Sequence, residues 1–311
     1  MSIEAKKNDV LPTVICIMGP TASGKTALAI ESAKVLNGEV ISVDSALVYK
    51  DMDIGTAKPS LQEQSGVTHH LIDIISPQNS YSVANFMSDA QNAIVTVLEK
   101  GKQPILVGGT MMYFNALING LNALPGADPN IRQQISEMTL ASVYKQLSEV
   151  DPQSAVRIDK SDAQRLTRAL EVFMVSGKSL SHFRAQQKVR LPFKFCQFTI
   201  TPRHRVDLHV SIEQRFDNML ANGLVKEVKE LLLRYSLEAG MPSMRSVGYR
   251  QVWQYLEGEY SYSQMRERGI IATRQLAKRQ ITWLRGFNDV TALESADFNN
   301  LQRLIQKVGA T

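Results

Sequence analysis

Eight consecutive residues, Gly19-Pro20-Thr21-Ala22-Ser23-Gly24-Lys25-Thr26, fit the pattern G-x-x-x-x-G-K-[ST] at every specified position. These residue types suit one task, which is holding a phosphate chain. Glycines let the backbone curl so that successive N–H groups point into one concavity, and a helix that starts at once adds its positive end. Lys25 brings charge to the terminal phosphate oxygens, and the Thr26 hydroxyl can join a Mg²⁺ ion. The alternative is a glycine turn with no ligand. An apolar run, Val14–Met18, precedes the octet and a helical stretch follows it, which is the setting the mechanism needs. The motif specifies a diphosphate or triphosphate and leaves open which compound carries it.

The elements around the octet place a second candidate. Residues 27–36 read as a helix with apolar Leu28, Ile30, Val35 and Leu36, ended by Asn37-Gly38. Glu39 to Val43 reads as a buried strand that stops at Asp44-Ser45. Strand, loop, helix and strand in about 30 residues make a βαβ unit, with its two strands expected as parallel neighbours. Ligands bind beyond the carboxyl ends of such strands, so Asp44 shares a rim with Lys25. Asp44 reads equally well as a turn or cap residue.

Further on, Tyr49 to Pro59 is a loop of turn formers, and His70 to Ile75 (HLIDII) is a strand candidate. A helix from Tyr81 or Ser82 to Lys100 carries Val83, Phe86, Ala90, Ile94, Val97 and Leu98 at 3-4 spacing. The strand Pro104–Val107 ends in Gly108-Gly109-Thr110, which suggests close approach to a ligand or a tight turn. Glycines and prolines cluster over residues 120–129 and mark a boundary, after which 130–190 reads as helices without a clear strand. Strand character returns at Phe195–Thr201. The chain thus divides into a phosphate-loop core, 1–119, a helical insertion, 120–195, and a completion of the core with basic helices, 196–311. Helices are expected over 204–220, 224–235, 262–284 and 296–311, with Ala272, Leu276 and Trp283 as the apolar stripe of the longest.

Composition narrows the class. The chain has 311 residues, 44% of them hydrophobic and 21% charged, which is ordinary for a globular protein with a sizeable core. No apolar run is long enough to span a membrane. The first residues, MSIEAKKNDVLP, lack the apolar segment of a secretory signal. Cys16 and Cys196 sit in apolar runs and read as buried thiols in a reducing, cytoplasmic setting. The five histidines show no metal-ligand spacing.

The net charge of +5 is unevenly spread. Residues 164–190 hold six bases (Arg165, Arg168, Lys178, Arg184, Lys188, Arg190) against Glu171 alone. Residues 264–286 hold six more (Arg266, Arg268, Arg274, Lys278, Arg279, Arg285) against Glu267. Such a run is commonly a solvated face. A small-molecule kinase or NTPase is the first reading of a phosphate loop, and it needs two or three such bases. Two segments of six point instead to a backbone of many phosphates. A non-catalytic RNA-binding module is a third reading, disfavoured by the intact Lys25-Thr26 and Asp44.

The segments GPTASGKT, ISVDSALVYKDMDIGTAKP, LVGGTMMYFNAL, QRLTRALEV, RSVGYRQVW and TRQLAKRQITWLRGF, in this order, resemble the bacterial tRNA dimethylallyltransferase (tRNA isopentenyltransferase) family. The resemblance runs from about Val14 to Phe287. Two departures stand out: Asp51 replaces a frequent glycine, and no cysteine–histidine zinc element follows the last long helix, as one does in eukaryotic relatives.

The resemblance implies an α/β fold of the P-loop NTPase type with a helical insertion. It implies Mg²⁺-dependent transfer of a dimethylallyl group from its diphosphate to the N6 amine of the adenosine 3′-adjacent to the anticodon. The loop Gly19–Thr26 would hold the diphosphate, with Thr26 at the metal, Arg215 as a second diphosphate ligand and Asp44 as general base. Contacts to tRNA carry over to Asp44, Ser45, Ala46, Leu47, Thr110 and Arg132. They also carry over to Gln164, Arg165, Leu166, Thr167 and Arg168, and to Arg245, Ser246, Val247, Gly248, Tyr249 and Arg250. The last group is Lys278, Arg279, Gln280, Ile281, Thr282, Trp283, Leu284 and Arg285. No heptad or pairing surface is evident, so a monomer is expected.

Overall fold

A computed structural model of the chain describes residues 11–310. The stretch read for a secretory signal lies outside them as far as Val10, as does Thr311. Strand β1 (Thr13–Met18) is buried from Val14 onward, as its unbroken apolar run requires of a parallel strand covered on both faces. The phosphate loop follows, and α1 (Lys25–Val35) starts after Gly24, whose φ of +83° is left-handed and favours glycine. Val35, the last residue of α1, stays exposed instead of joining the apolar face.

Next come β2 (Gly38–Val43), α2 (Leu61–Gln64) and β3 (His69–His70). The strand expected from His70 to Ile75 is not formed. Leu71 and Asp73 take positive φ values of 62° and 55°, which break an extended run. α3 (Val83–Glu99) starts on a capping box of Ser82 and Asn85 and buries Phe86, Ala90, Ala93, Ile94 and Val97. β4 (Gln103–Gly108) and α4 (Met111–Asn119) follow.

The chain forms two compact units. One runs to Ile118 and resumes at Pro192, and the other is Asn119–Leu191. The second unit holds α5 (Pro129–Ser136), α6 (Leu140–Val150), α7 (Pro152–Arg157), α8 (Ala163–Ser176) and α9 (Leu180–Ala185). Val143, Leu147, Leu166, Leu170 and Val172 centre its core. The first unit is completed by β5 (Lys194–Thr201), α10 (Arg205–Ala221), α11 (Leu224–Arg234), α12 (Tyr249–Leu256), α13 (Tyr262–Leu284), β6 (Val290–Glu294) and α14 (Asn300–Gly309). The half-polar β6 and the eight-residue α12, which starts at the end of the 242–250 break, are not expected from the sequence.

All six strands run parallel in the order β3-β2-β4-β1-β5-β6. β1 and β2 are therefore not neighbours. β4 lies between them, with Ile105 opposite both Ile15 and Val40. The crossover through α1 skips one strand position, which local periodicity cannot reveal. The order does bring the loop after β1, Asp44 after β2 and the glycine turn after β4 to one edge of the sheet.

Leu28, Ala29, Ile30 and Ala33 of α1 and Leu304 of α14 pack on Ile15, Ile17, Val40, Ile105 and Phe198 on one face of the sheet. Beyond the strand ends, α10 to α13 form a second core around Ile212, Phe216, Leu224, Val252 and Met265. The buried stripe of α13 is Met265, Gly269, Ile270, Ala277, Gln280 and Leu284. The expected stripe was rotated by about one residue, and Trp283 is 47% exposed.

Gly108 bears on another expectation. A Cβ there would stand 2.0 Å from the Val43 carbonyl oxygen, so the neighbouring strand already requires a glycine at this position. Gly108→Ala should cost about 2 kcal/mol or more in urea unfolding, because a strand backbone has to move. Gly126→Ala, with nothing within 4 Å of its Cβ, should stay within about 0.5 kcal/mol.

Candidate active site

At the carboxyl edge of the sheet lies a cavity of about 170 Å³. Thr21, Lys25 and Thr26 line it from the phosphate loop, Ser42 and Asp44 from the end of β2, and Arg215 from α10. Thr273, Leu276 and Gln280 line it from α13, at the 3-4 spacing of one helix face.

In the loop, Ala22 and Gly24 both take positive φ, 61° and 83°, which curls the backbone around a concavity. The Ser23 hydroxyl is buried without a hydrogen-bond partner. The Lys25 ammonium donates to the Pro20 carbonyl at 3.1 Å. Neither Lys25 nor Arg215 has an ion-pair partner among the described residues. Burial pushes the Lys25 pKa down to about 8, the nearby Arg215 guanidinium adds to this, and Asp44 pulls the other way. Burial also lowers the pKa of Arg215, against the opposing fields of Asp44 and Glu63. Two cations thus face one cavity with nothing to neutralise them at contact distance.

Asp44 sits at the rim. Its Oδ1 accepts the Ala46 N–H at 2.8 Å, which fixes the carboxylate as the turn begins. The Ser45 N–H donates to the Thr110 hydroxyl at 3.1 Å, tying this rim to the turn after β4.

A buried carboxylate shapes the opposite wall. Glu227 of α11 accepts the N–H groups of Asp53, Ile54 and Gly55 at 3.0, 2.6 and 3.1 Å, and the Tyr249 hydroxyl at 2.5 Å. Burial, and then Glu227, raise the Tyr249 pKa well above its ordinary value. A Cβ on Gly55 would lie 2.5 Å from the Tyr249 ring, so only glycine fits there. Gly55, Thr56 and Ala57 then line the cavity.

The IPP transferase family model matches residues 47–287. This chain belongs to the IPP transferase family. It is 34% identical to the tRNA isopentenylpyrophosphate transferase of Bacillus halodurans, over 97% of this chain and 96% of that one, with a TM-score of 0.72. It is 32% identical to the tRNA delta(2)-isopentenylpyrophosphate transferase of Staphylococcus epidermidis, over 96% and 98%, with a TM-score of 0.68. It is 30% identical to a eukaryotic dimethylallyltransferase acting on tRNA, over 94% of this chain and 78% of that one, with a TM-score of 0.81.

The positions carried over from the IPP transferase family now separate. Asp44, Ala46, Leu47, Arg215, Ser246, Val247 and Gln280 share the cavity with the loop. Arg245 and Arg250 line another surface recess with Trp253. Lys278, Arg279, Thr282, Trp283 and Arg285 are exposed along α13. Arg132 and the segment Gln164–Arg168 belong to the second unit.

Three of these positions, Leu166, Tyr249 and Leu284, have buried side chains. Gln280 is turned inward to the phosphate loop. The basic segments are also less free than a count of charges suggests. Arg132 and Arg168 both bind buried Glu171, at 2.7 and 2.6 Å. Arg266 and Arg274 are held by Glu213 and Asp217. Asp51, where the resemblance leads us to expect glycine, takes the left-handed φ of 62° that glycine favours, and Tyr235 and Arg234 tie it down.

Ser42, Thr273, Glu227 and the walls from Ile212, Phe216 and Met219 were missed. Ser42 lies two residues before Asp44 on a strand, so period-2 alternation could have found it. Glu227 had no local signal.

The depressed pKa of Lys25 sets a pH dependence. Between about 8 and the ordinary 10.5 the native state binds fewer protons than the unfolded chain, so stability without ligand rises with pH across that window. Anion binding runs the other way, because it needs the proton. Calorimetric affinity for a non-reactive thio-analogue of dimethylallyl diphosphate should be flat below pH 8 and fall by up to about tenfold per unit above it. Lys25→Arg should flatten that fall.

Proposed function

We propose that this chain is a tRNA dimethylallyltransferase. It moves a dimethylallyl group from its diphosphate to the N6 amine of the adenosine 3′-adjacent to the anticodon, and it releases diphosphate. One observation carries the reading: Lys25 and Arg215 face, without a carboxylate at contact distance, the cavity whose rim holds Asp44.

The chemistry follows from where charge develops. As the carbon–oxygen bond of the donor lengthens, negative charge gathers on the leaving diphosphate and positive charge on the allylic carbons. The loop N–H groups, Lys25 and Arg215 bind that diphosphate more strongly as its charge grows, so they lower the barrier and not merely the ground state. Ile212, Phe216, Val247 and Leu276 form apolar wall around the allyl group and limit its capture by water. The N6 lone pair is delocalised into the purine and is a weak nucleophile. As nitrogen bonds to carbon, one N6 proton passes to Asp44, which later returns it to water.

Mg²⁺ fits this site. Thr26 is exposed toward the cavity, and the buried Ser23 hydroxyl lacks a partner. Mg²⁺ beside a phosphate chain takes few protein oxygens and needs no carboxylate cage. When bound through Thr26 it supplies charge neutralisation to the diphosphate.

On this reading the adenine is flipped out of its stack to reach Asp44. Arg245, Arg250, Lys278, Arg279 and Arg285 grip RNA phosphates, as does the second unit through Arg132, Gln164, Arg165 and Arg168. The helical second unit is assigned to the anticodon stem-loop. No helix among the described residues is long and apolar enough to cross a membrane. The buried thiols of Cys16 and Cys196 support a cytoplasmic setting, and on this reading the protein acts as a monomer.

Incubation with unmodified tRNA, labelled dimethylallyl diphosphate and Mg²⁺ should place label on adenosine. ATP hydrolysis without such labelling would overturn the reading in favour of a kinase or NTPase. Asp44→Asn should lower kcat by about 10²- to 10⁴-fold while the tRNA dissociation constant stays within about twofold. A large loss of tRNA affinity would make Asp44 a recognition residue.

A further inference from the structure

One polar side chain of α13 is buried with its amide between the phosphate loop and the turn after β4. Gln280 is 8% exposed. Its Oε1 accepts the Thr21 N–H at 2.9 Å, and its Nε2 donates to the Gly109 carbonyl at 2.9 Å. Thr21 belongs to the loop leaving β1, and Gly109 to the turn leaving β4, the strand beside it. A Cβ on Gly109 would stand 2.4 Å from Nε2, so the glycine makes room for this amide. One side chain from residue 280 therefore joins two strand ends more than 170 residues away.

We propose that Gln280 is the positioning residue of the phosphate loop, and that it does not read RNA. It fixes the first half of the loop against β4, so that the second half, from Ala22 to Lys25, presents its N–H groups and ammonium as a rigid anion cradle. The chemistry demands an amide. Thr21 offers a donor and Gly109 an acceptor, and a single group must carry both an acceptor and a donor to satisfy the two at once, as a neutral amide does at every pH. A carboxylate would satisfy Thr21 alone. It would also repel the Gly109 carbonyl and set a negative charge in the wall of a cavity built for an anion. A loosened cradle costs donor binding and alignment, because preorganised donors act only where they are held. Gln280 itself touches no reacting atom in this role. The inference rests on the reading of the cavity as a diphosphate site.

The test varies donor and tRNA separately in steady-state kinetics, and measures calorimetric binding of the thio-analogue without tRNA. Gln280→Met, close in size but unable to make either bond, should raise the donor KM and the analogue dissociation constant about tenfold, with the tRNA KM within twofold. Gln280→Glu should raise them further, about a hundredfold at pH 8, with partial recovery as pH falls. A protonated carboxyl regains an O–H for Gly109, and wild type has no counterpart to this rescue. Gly109→Ala displaces the amide from the other side and should reproduce the Gln280→Met result even if the latter folds poorly. An unchanged donor KM in both Gln280→Met and Gly109→Ala would overturn the proposal, as would a rise confined to the tRNA KM. Wild-type protein that fails to bind the analogue would sink the diphosphate reading and this inference together. Wild-type binding with indifferent variants would sink this inference alone.

Discussion

Lys25 and Arg215 share one cavity without a carboxylate at contact distance, and much of the first unit can be understood as holding them there. Unpaired cations out of water are costly, and the chain avoids them elsewhere. Arg132 and Arg168 converge on Glu171, and Arg266 and Arg274 lean on Glu213 and Asp217. At the phosphate loop, among the described residues, Lys25 and Arg215 have no such partner, and burial with the nearby Arg215 draws the Lys25 pKa down to about 8. An anion entering such a site would relieve the repulsion between the two cations.

The fold holds the arrangement with hydrogen bonds from uncharged donors. Glu227 is the clearest case. It is buried near the cavity, and its partners are three backbone N–H groups and a phenol rather than a lysine or arginine. Its two carboxyl oxygens tie the 53–55 turn and Tyr249 together, and so join α11, α12 and the loop that walls the cavity. Gln280 does the corresponding work on the loop side with no charge at all.

What the sequence revealed and what it hid divide along the range of the interactions. The octet, the buried run of β1, the helix start near Ser82 and the full span of α13 were legible because each is decided by neighbours a few residues away. The order of strands was not, because β4 reaches its place between β1 and β2 through pairings some sixty to ninety residues apart. The failed strand at 70–75 has an apolar composition, and only the left-handed Leu71 and Asp73 show that the chain turns there. In the site, Asp44 was placed from strand direction alone. The inward turn of Gln280 was hidden, since a glutamine between Arg279 and Ile281 in a basic helix reads as surface. The count of bases overstated the free positive surface because their acidic partners lie on other elements or one turn away.

Helix α13 shows why such misreadings arise and what they conceal. Its side chains serve three directions at once. Met265, Ile270 and Ala277 pack into the helical core. Thr273, Leu276 and Gln280 wall the cavity. Lys278, Arg279 and Arg285 remain in solvent. A helix with two buried faces and one basic face has no single hydrophobic stripe, so a search for one settles on an average between them, as it did on Ala272 and Trp283. The same property lets one rigid element wall the cavity and carry a basic surface at once. The cavity face and the basic face are turned by fixed steps of about 100° per residue. Their relative placement is then set by backbone geometry, which a flexible loop could not hold as closely.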